Sequence, residues 1–160
     1  MPSTDYNHDM EGPTAIREVD VVKGTAPDPS LLTADTPWVA RGMVSHWPLV
    51  QKAHDPQQAL GYLKDFTVGK KVSAFLAEPE HGGRLFYNED VSGFNFVQVT
   101  TELTPVIEKL IALKDQQPAP TLYVGSTNID QGLPGLRQSH NIDTGHENAL
   151  VSLWLGNESR

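Results

Sequence analysis

One apolar stripe constrains the fold of this chain more than any other feature. Five residues recur at the spacing of a single helix face: Val106, Ile107, Leu110, Ile111 and Leu113. Thr104 can cap this helix and Pro105 suits its first position. Pro118 and Pro120 prevent its continuation, since proline lacks the backbone donor that a helix interior needs. The spacing therefore predicts a helix that starts at Thr104 and packs one face inward.

A second helix is predicted over residues 56–66. Asp55 can accept hydrogen bonds from the first turn, and Pro56 is suited to the first helical position. Ala59, Leu60 and Leu63 then fall on one side together with Phe66. A shorter helix is predicted to begin at Pro48, after a turn.

Apolar runs before, between and after these helices predict strands. They read "IREVDVV", which is short, "WVARGMV", "KKVSAFLAE", "TLYVGS" and "ALVSLWLGNESR". The last run is apolar on both faces, which suits a strand that is covered on both sides. Residues 128–148 are rich in Gly, Asn and Asp and read as a loop. Short strands mixed with at least two helices predict the α+β class.

Composition limits the size of the protein and the partners it can have. The 160 residues, 38% of them hydrophobic, suit one domain, with a proline-rich polar arm over residues 1–37 and the folded part over 38–160. A net charge of -8 argues against nucleic acid. No apolar run is long enough to span a membrane and no signal peptide is visible, so we expect no membrane contact and a cytoplasmic location. The absence of cysteine excludes thiolate zinc sites and cysteine nucleophiles.

The six histidines do not fit the spacings that metal sites use. No pair lies three or four residues apart, and none is followed two residues later by Asp or Glu, so neither a helical zinc pair nor a His-x-Asp motif occurs. His140 and His146 read as solvent-exposed loop residues. Nucleotide-binding and hydrolase motifs are also missing, although composition leaves a Ser-His-Asp arrangement open.

Two segments combine aromatic and polar side chains. In "RLFYNEDVSGFNF", Asn and Asp lie among four aromatic residues. This mixture is found where a loop both packs and binds a ligand. In "LYVGST", Tyr123 can place a phenol in a pocket. Ordinary packing accounts for either segment taken alone, so both readings stay open.

Taken in order, four segments resemble the N-terminal half of cupin-like proteins of the JmjC type, relatives of the asparaginyl hydroxylase that modifies hypoxia-inducible factor. They are "WVARGMVSHWPLV", "GRLFYNEDVSGFNF", "TLYVGSTNIDQGLPG" and "VSLWLGNESR", which together run from Trp38 to Arg160. The resemblance implies the N-terminal helices and strands of a double-stranded β-helix, or jelly roll, whose barrel is incomplete in this chain. It also implies an Fe(II)- and 2-oxoglutarate-dependent oxygenase that hydroxylates a protein or peptide.

The same resemblance assigns roles to a few residues. Tyr123 matches the tyrosine that binds 2-oxoglutarate. Four residues match positions on the substrate side: Tyr87, Asn88, Gly125 and Ser126, although Gly125 and Ser126 replace polar amides of the hypoxia-factor enzyme. Trp154 and Asn157 match residues that lead into the metal motif and support it without touching the metal. No residue of this chain is predicted to be catalytic or to bind metal, because the family's His-x-Asp would follow the "WLGN" strand.

Three hypotheses follow. In the first, the sequence is part of an iron oxygenase, inactive as it stands, to which neither Fe(II) nor 2-oxoglutarate binds productively. In the second, it is a non-catalytic cupin-like binding module that self-associates as a homo-oligomer, because unpaired strand edges invite pairing. In the third, it is an enzyme of unrelated mechanism.

Overall fold

A computed structural model describes residues 16–20, 26–146 and 148–157. The helices are α1 (Pro29–Leu32), α2 (Pro48–Lys52), α3 (Pro56–Lys64), α4 (Leu103–Leu113) and α5 (Ile129–Gly132). The strands are β1 (Arg17–Glu18), β2 (Trp38–Val39), β3 (Lys71–Ala77), β4 (Val97–Glu102), β5 (Thr121–Asn128) and β6 (Ser152–Gly156). No helix in the described ranges has the length and apolar character needed to cross a membrane.

The main sheet has four strands in the order β4-β3-β5-β6, and every neighbouring pair is antiparallel. Phe75 of β3 lies opposite Tyr123 of β5, which lies opposite Gly156 of β6. A separate two-stranded parallel sheet joins β1 to β2. The described residues form an open sheet with no closed barrel, and the predicted α+β class is confirmed.

Helices α3 and α4 cover one face of the four-stranded sheet. Four of the five residues of the α4 stripe are buried together with the sheet residues Val72, Ala74, Leu122 and Val124, and Ile111 is partly buried against them. Ile107 at the centre of this stripe is fully buried, with 0% of its surface exposed. Leu63 of α3 joins the same core. The helical spacing read from the sequence therefore predicts the core correctly, because burying this stripe is the main source of helix stability.

Of the three predicted helix starts, the one at Pro48 is confirmed by α2, and the other two have different outcomes. Asp55 caps α3 as expected, with Oδ1 accepting the backbone N–H of Gln57 at 2.9 Å. The Thr104 cap is wrong, because α4 begins at Leu103 and has no side-chain cap. Thr104 instead shares a 2.6 Å hydrogen bond with the Thr67 hydroxyl, and burial of Leu103 in the core draws that residue into the helix.

Three sequence expectations need further correction. The predicted strand over 38–44 ends at Val39, since Gly42, with φ of +73°, takes the chain into a turn. The predicted loop over 128–148 contains α5 and a 3-10 turn over residues 136–139, and Asn128 caps α5 by accepting the backbone N–H of Asp130 at 2.9 Å. Strand β6 is not covered on both sides, because Trp154 is 57% exposed.

Candidate functional site

The sheet face that points away from α3 and α4, here the open face, carries most of the residues singled out by the sequence. Side chains alternate along a strand, so Tyr123 lies on the side opposite its buried neighbours Leu122 and Val124. Phe75 and Trp154 lie on the same side by the same alternation. A groove of about 480 Å³, here called the polar groove, runs along this face. Its lining includes Lys70, Ser73, Phe75, Gln98, Gly125 and Ser126.

Tyr123 is half-buried at the centre of the open face. Its ring centroid lies 6.0 Å from that of Phe75. Its other neighbour is Gly156 of β6. A Cβ added at Gly156 would lie 2.9 Å from the Leu122 carbonyl oxygen and 3.3 Å from Tyr123 Cδ2. Glycine is therefore required at position 156 for β6 to approach the tyrosine.

Gly125 and Ser126 lie where the pairing of β5 with β6 is interrupted. The register shifts between Val124 and Thr127, and Thr127 Oγ1 donates to the Gly125 carbonyl at 3.1 Å. Register shifts of this kind occur at β-bulges, which bend a strand and redirect side chains, often beside functional sites. Both residues line the groove, as does Phe75, which pairs with Tyr123. Of the residues assigned by the resemblance, Gly125 and Ser126 therefore line the groove, and Tyr123 adjoins it through Phe75.

Polar side chains fill the end of the groove near the start of β3. Gln98 Nε2 donates to Ser73 Oγ at 3.2 Å, and Lys71 Nζ lies 2.8 Å from Glu102 Oε1. Lys70 lines the groove and forms no ion pair with any residue that the structure describes. An ammonium group beside hydroxyl and amide donors suits a carboxylate ligand.

Asn157 fixes the strand that carries Tyr123. Its Oδ1 accepts the Leu122 N–H at 2.8 Å, and its Nδ2 donates to the Pro120 carbonyl at 2.8 Å. Both ends of the amide are therefore used by the backbone at the start of β5. Asn157 positions Tyr123 through the main chain, whereas Trp154 is exposed on the open face.

A continuous aromatic row links Tyr123 to the segment that the resemblance places near substrate. Phe75 lies 5.6 Å from Phe96, which stacks on Phe94 at 4.8 Å, and Phe94 stacks on Tyr87 at 5.2 Å. Distances between centroids of this size are typical of favourable aromatic pairs. One packed row of rings therefore connects Tyr123 to Tyr87.

Asn88 shapes the loop next to Tyr87. Its backbone N–H donates to the Gly93 carbonyl at 3.0 Å, and its Oδ1 accepts the Gly93 N–H at 3.1 Å. Its Nδ2 donates to Ser92 Oγ at 3.2 Å. The amide of Asn88 is thus engaged within the loop, while Tyr87 remains 49% exposed and available for contact.

His140 is a residue whose environment the sequence reading missed. The expectation of an exposed loop histidine is wrong, because only 6% of its surface is exposed. Its Nε2 accepts the Leu49 N–H at 3.1 Å, and its Nδ1 lies 2.9 Å from the Leu136 carbonyl, to which it donates. The ring also packs edge-on against Trp47. Both nitrogens serve tertiary structure, and a Gly-rich sequence context gives no local signal of this.

The residues that the structure describes bring no group of three or more His, Asp or Glu side chains together in a way that could hold a metal ion. Fe(II) in oxygenases needs such a set. The donor set described therefore does not fit a resident Fe(II) ion.

The profile of the cupin-like domain family matches residues 28–160. The chain therefore belongs to the cupin-like domain family, as its resemblance to cupin-like proteins predicted, and its open antiparallel sheet with helices on one face is the corresponding α+β fold. No curated protein and no solved structure matches the chain significantly. The division into an arm of residues 1–37 and a domain of residues 38–160 stays a prediction.

Proposed function

We propose that this chain provides the 2-oxoglutarate-binding wall of an Fe(II)- and 2-oxoglutarate-dependent protein or peptide hydroxylase related to the asparaginyl hydroxylase of hypoxia-inducible factor. Membership of the cupin-like family supports the fold-level part of this proposal. The observation that carries it is the position of Tyr123, whose ring lies on the open face beside Phe75, a residue that lines the polar groove. We place the enzyme in the cytoplasm.

The groove has the chemistry that 2-oxoglutarate requires. The ligand is a dianion, and the Lys70 ammonium supplies a cation in the groove wall. Ser73 and Ser126 add hydroxyl groups that can donate to carboxylate oxygens. The phenol of Tyr123 forms no hydrogen bond within the described part of the chain, so it is free to donate to a ligand.

In an oxygenase of this class, iron and 2-oxoglutarate together supply the oxidising power for hydroxylation. The residues of this chain bind and orient. Tyr123 donates to the ligand, Lys70 balances its charge, and Phe75, which packs against Phe96, gives the groove an apolar side that excludes water. No step through iron is assigned to the described residues, because they do not provide a ligand set.

Titration of the 160-residue protein with 2-oxoglutarate, followed by NMR, tests the proposal. We expect shifts in the amide signals of Gly125 and Ser126, and an affinity lowered about fivefold by Tyr123→Phe, as for one lost hydrogen bond. Tyr62→Phe is the matched control, since Tyr62 lies on α3, on the other face of the sheet. Absence of binding, or equal losses in the two variants, would refute the assignment of Tyr123.

Turnover is tested separately. With Fe(II) and 2-oxoglutarate added, we expect the 160-residue protein to release no succinate, because the described residues do not form a metal-binding group. Succinate release that depends on added iron would contradict this expectation.

A second candidate is a non-catalytic cupin-like module that self-associates, and strand β4 favours it. This strand is an edge of the sheet, with Val97 61% and Val99 39% exposed. Residues 97–101 contain neither lysine nor proline, which commonly protect edges from pairing. Two copies pairing through β4 would cover these residues.

Sedimentation distinguishes this candidate. A self-associating module should sediment as a dimer, and Val97→Lys with Val99→Lys should yield the monomer. A stable, folded wild-type monomer at all concentrations would count against it.

A further inference from the structure

A second groove lies beside the aromatic row, at the opposite end of β3 from Lys71. It has a volume of about 820 Å³, and its apolar wall is formed by Tyr87, Phe94 and Phe96. Glu78, Glu80 and Glu89 also line it, and we call this site the aromatic groove. None of its wall residues lines the polar groove that is assigned to 2-oxoglutarate.

The aromatic wall presents ring surface to solvent. Phe94 is 58% exposed and Tyr87 49% exposed, yet both are stacked, with interplanar angles of 27° between Tyr87 and Phe94 and 23° between Phe94 and Phe96. Large apolar side chains at this exposure stand out on a protein surface and commonly mark contact sites. The wall is thus an ordered and accessible aromatic surface.

The loop that carries the wall is held in shape by its own polar groups. Asn95 Oδ1 accepts the Phe86 N–H at 2.8 Å, and Asp90 Oδ1 accepts the Ser92 N–H at 3.0 Å. Val91 at the tip has φ of +60°, a left-handed conformation that β-branched residues rarely adopt. A loop fixed in this way loses little entropy when a ligand binds.

The acidic lining of the aromatic groove favours a positively charged ligand. Its lining holds three glutamates against one lysine, Lys109 of α4, together with His81, whose Nε2 lies 3.9 Å from Glu80 Oε1. Glu78 and Glu89 form no ion pair within the described ranges. Aromatic faces attract cations, and carboxylates beside them strengthen that attraction.

We infer that the aromatic groove binds the positively charged side chain of an arginine- or lysine-containing peptide. The cation would lie against the rings of Tyr87 and Phe94, within reach of the carboxylates of Glu78 and Glu89. This inference deepens the proposed function and rests on it for the peptide's role as substrate: the groove would hold a basic residue that flanks the hydroxylated one.

The test uses the 160-residue protein and a fluorescein-labelled peptide of glycine, serine and arginine, followed by anisotropy at low salt. The control peptide carries glutamate in place of arginine. We expect saturable binding of the arginine peptide alone, weakened about tenfold by Phe94→Ala and by the pair Glu78→Gln with Glu89→Gln. The glutamate substitutions are at exposed positions and test the groove even if Phe94→Ala unfolds the protein.

Two matched variants separate the groove from general effects. Asp35→Asn removes an exposed carboxylate elsewhere, and Leu150→Ala removes an apolar side chain that is 72% exposed. Neither should change the affinity for the arginine peptide. Absence of binding, equal binding of the glutamate peptide, or an equal loss with Asp35→Asn would overturn the inference.

Failure of this inference is distinguishable from failure of the proposed function, because the titration needs neither iron nor 2-oxoglutarate. Tyr123→Phe should leave binding of the arginine peptide unchanged. If the peptide binds and 2-oxoglutarate does not, the 2-oxoglutarate role falls and the groove stands. If 2-oxoglutarate binds and the peptide does not, the aromatic groove alone is refuted.

Discussion

Asn157 and Leu122 are joined by two hydrogen bonds: Asn157 Oδ1 accepts the Leu122 N–H at 2.8 Å, and the Asn157 N–H donates to the Leu122 carbonyl at 3.2 Å. The residue after Leu122 is Tyr123, which we propose binds 2-oxoglutarate, so this pair of hydrogen bonds sets the position of Tyr123. Asn157→Ala leaves the Leu122 N–H and the Pro120 carbonyl without these partners. We expect a loss of about 1–3 kcal/mol in the free energy of unfolding.

Urea denaturation measures that loss. Asn141→Ala is the control, because Asn141 is exposed and its side chain forms no hydrogen bond within the described residues. Equal midpoints for the two variants would show that the Asn157 amide does not hold the strand.

Gly156→Ala tests the close approach of β6 to Tyr123. The new methyl group would meet the Leu122 carbonyl oxygen at 2.9 Å, a distance that forces the strands apart. We expect destabilisation of about 1–3 kcal/mol and a weaker affinity for 2-oxoglutarate, because the Tyr123 ring must move. Thermal unfolding and the NMR titration measure the two effects.

Gly61→Ala is the matched control. An added Cβ at this helical position meets nothing within 4 Å, so the substitution should stabilise the protein by about 0.5–1 kcal/mol. Equal thermal stability of Gly156→Ala and Gly61→Ala would show that β6 does not need glycine at position 156 to approach Tyr123.

Val91→Gly tests the strain at the tip of the aromatic loop. A β-branched residue with φ of +60° costs about 1–2 kcal/mol, and glycine removes that cost, so we expect a net gain of about 1 kcal/mol in stability. Val68→Gly, at an exposed loop position without positive φ, should instead destabilise through unfolded-state entropy. A lower unfolding midpoint for Val91→Gly than for the wild type would rule out strain at this position.

Asp55 gives the stability of the protein a defined dependence on pH. Hydrogen bonds from the Gln58 side chain and the Gln57 N–H lower the pKa of the Asp55 carboxyl in the folded state. Its contribution is therefore complete above the unfolded pKa, about 3.9, and is lost as pH falls through the lower folded pKa.

Asp55→Asn keeps a capping oxygen but removes the titration. The unfolding midpoint of this variant should fall less than that of the wild type between about pH 5 and pH 2. Parallel curves for the two proteins would show that Asp55 contributes nothing to the acid dependence.

The sequence predicts the helices and central strands well because their signals are local or periodic. The apolar stripe of α4 identifies the core, and Asp55 with Pro56 identifies the start of α3. The alternation around Tyr123 identifies β5. The start of α4 is different. Leu103 joins that helix because it fills the core, which no capping pattern encodes.

The candidate site is only partly readable from the sequence. Resemblance to a family points to Tyr123 and Asn157, but the aromatic row from Tyr123 to Tyr87 depends on β3 lying between β4 and β5. Pairing of strands distant in sequence creates that row, so no single segment predicts it. His140 is missed for the same reason, since its partner Leu49 is 91 residues away.

His140→Ala tests this long-range contact. The substitution leaves the Leu49 N–H without an acceptor and removes the ring that packs on Trp47, so we expect a loss of about 2 kcal/mol in the free energy of unfolding. His146→Ala is the matched control, since His146 is exposed and lies in the same segment, and it should change stability by less than about 0.5 kcal/mol. Urea denaturation followed by fluorescence compares the two, and equal losses would mean that the His140–Leu49 hydrogen bond does not fasten α2 to the loop after α5.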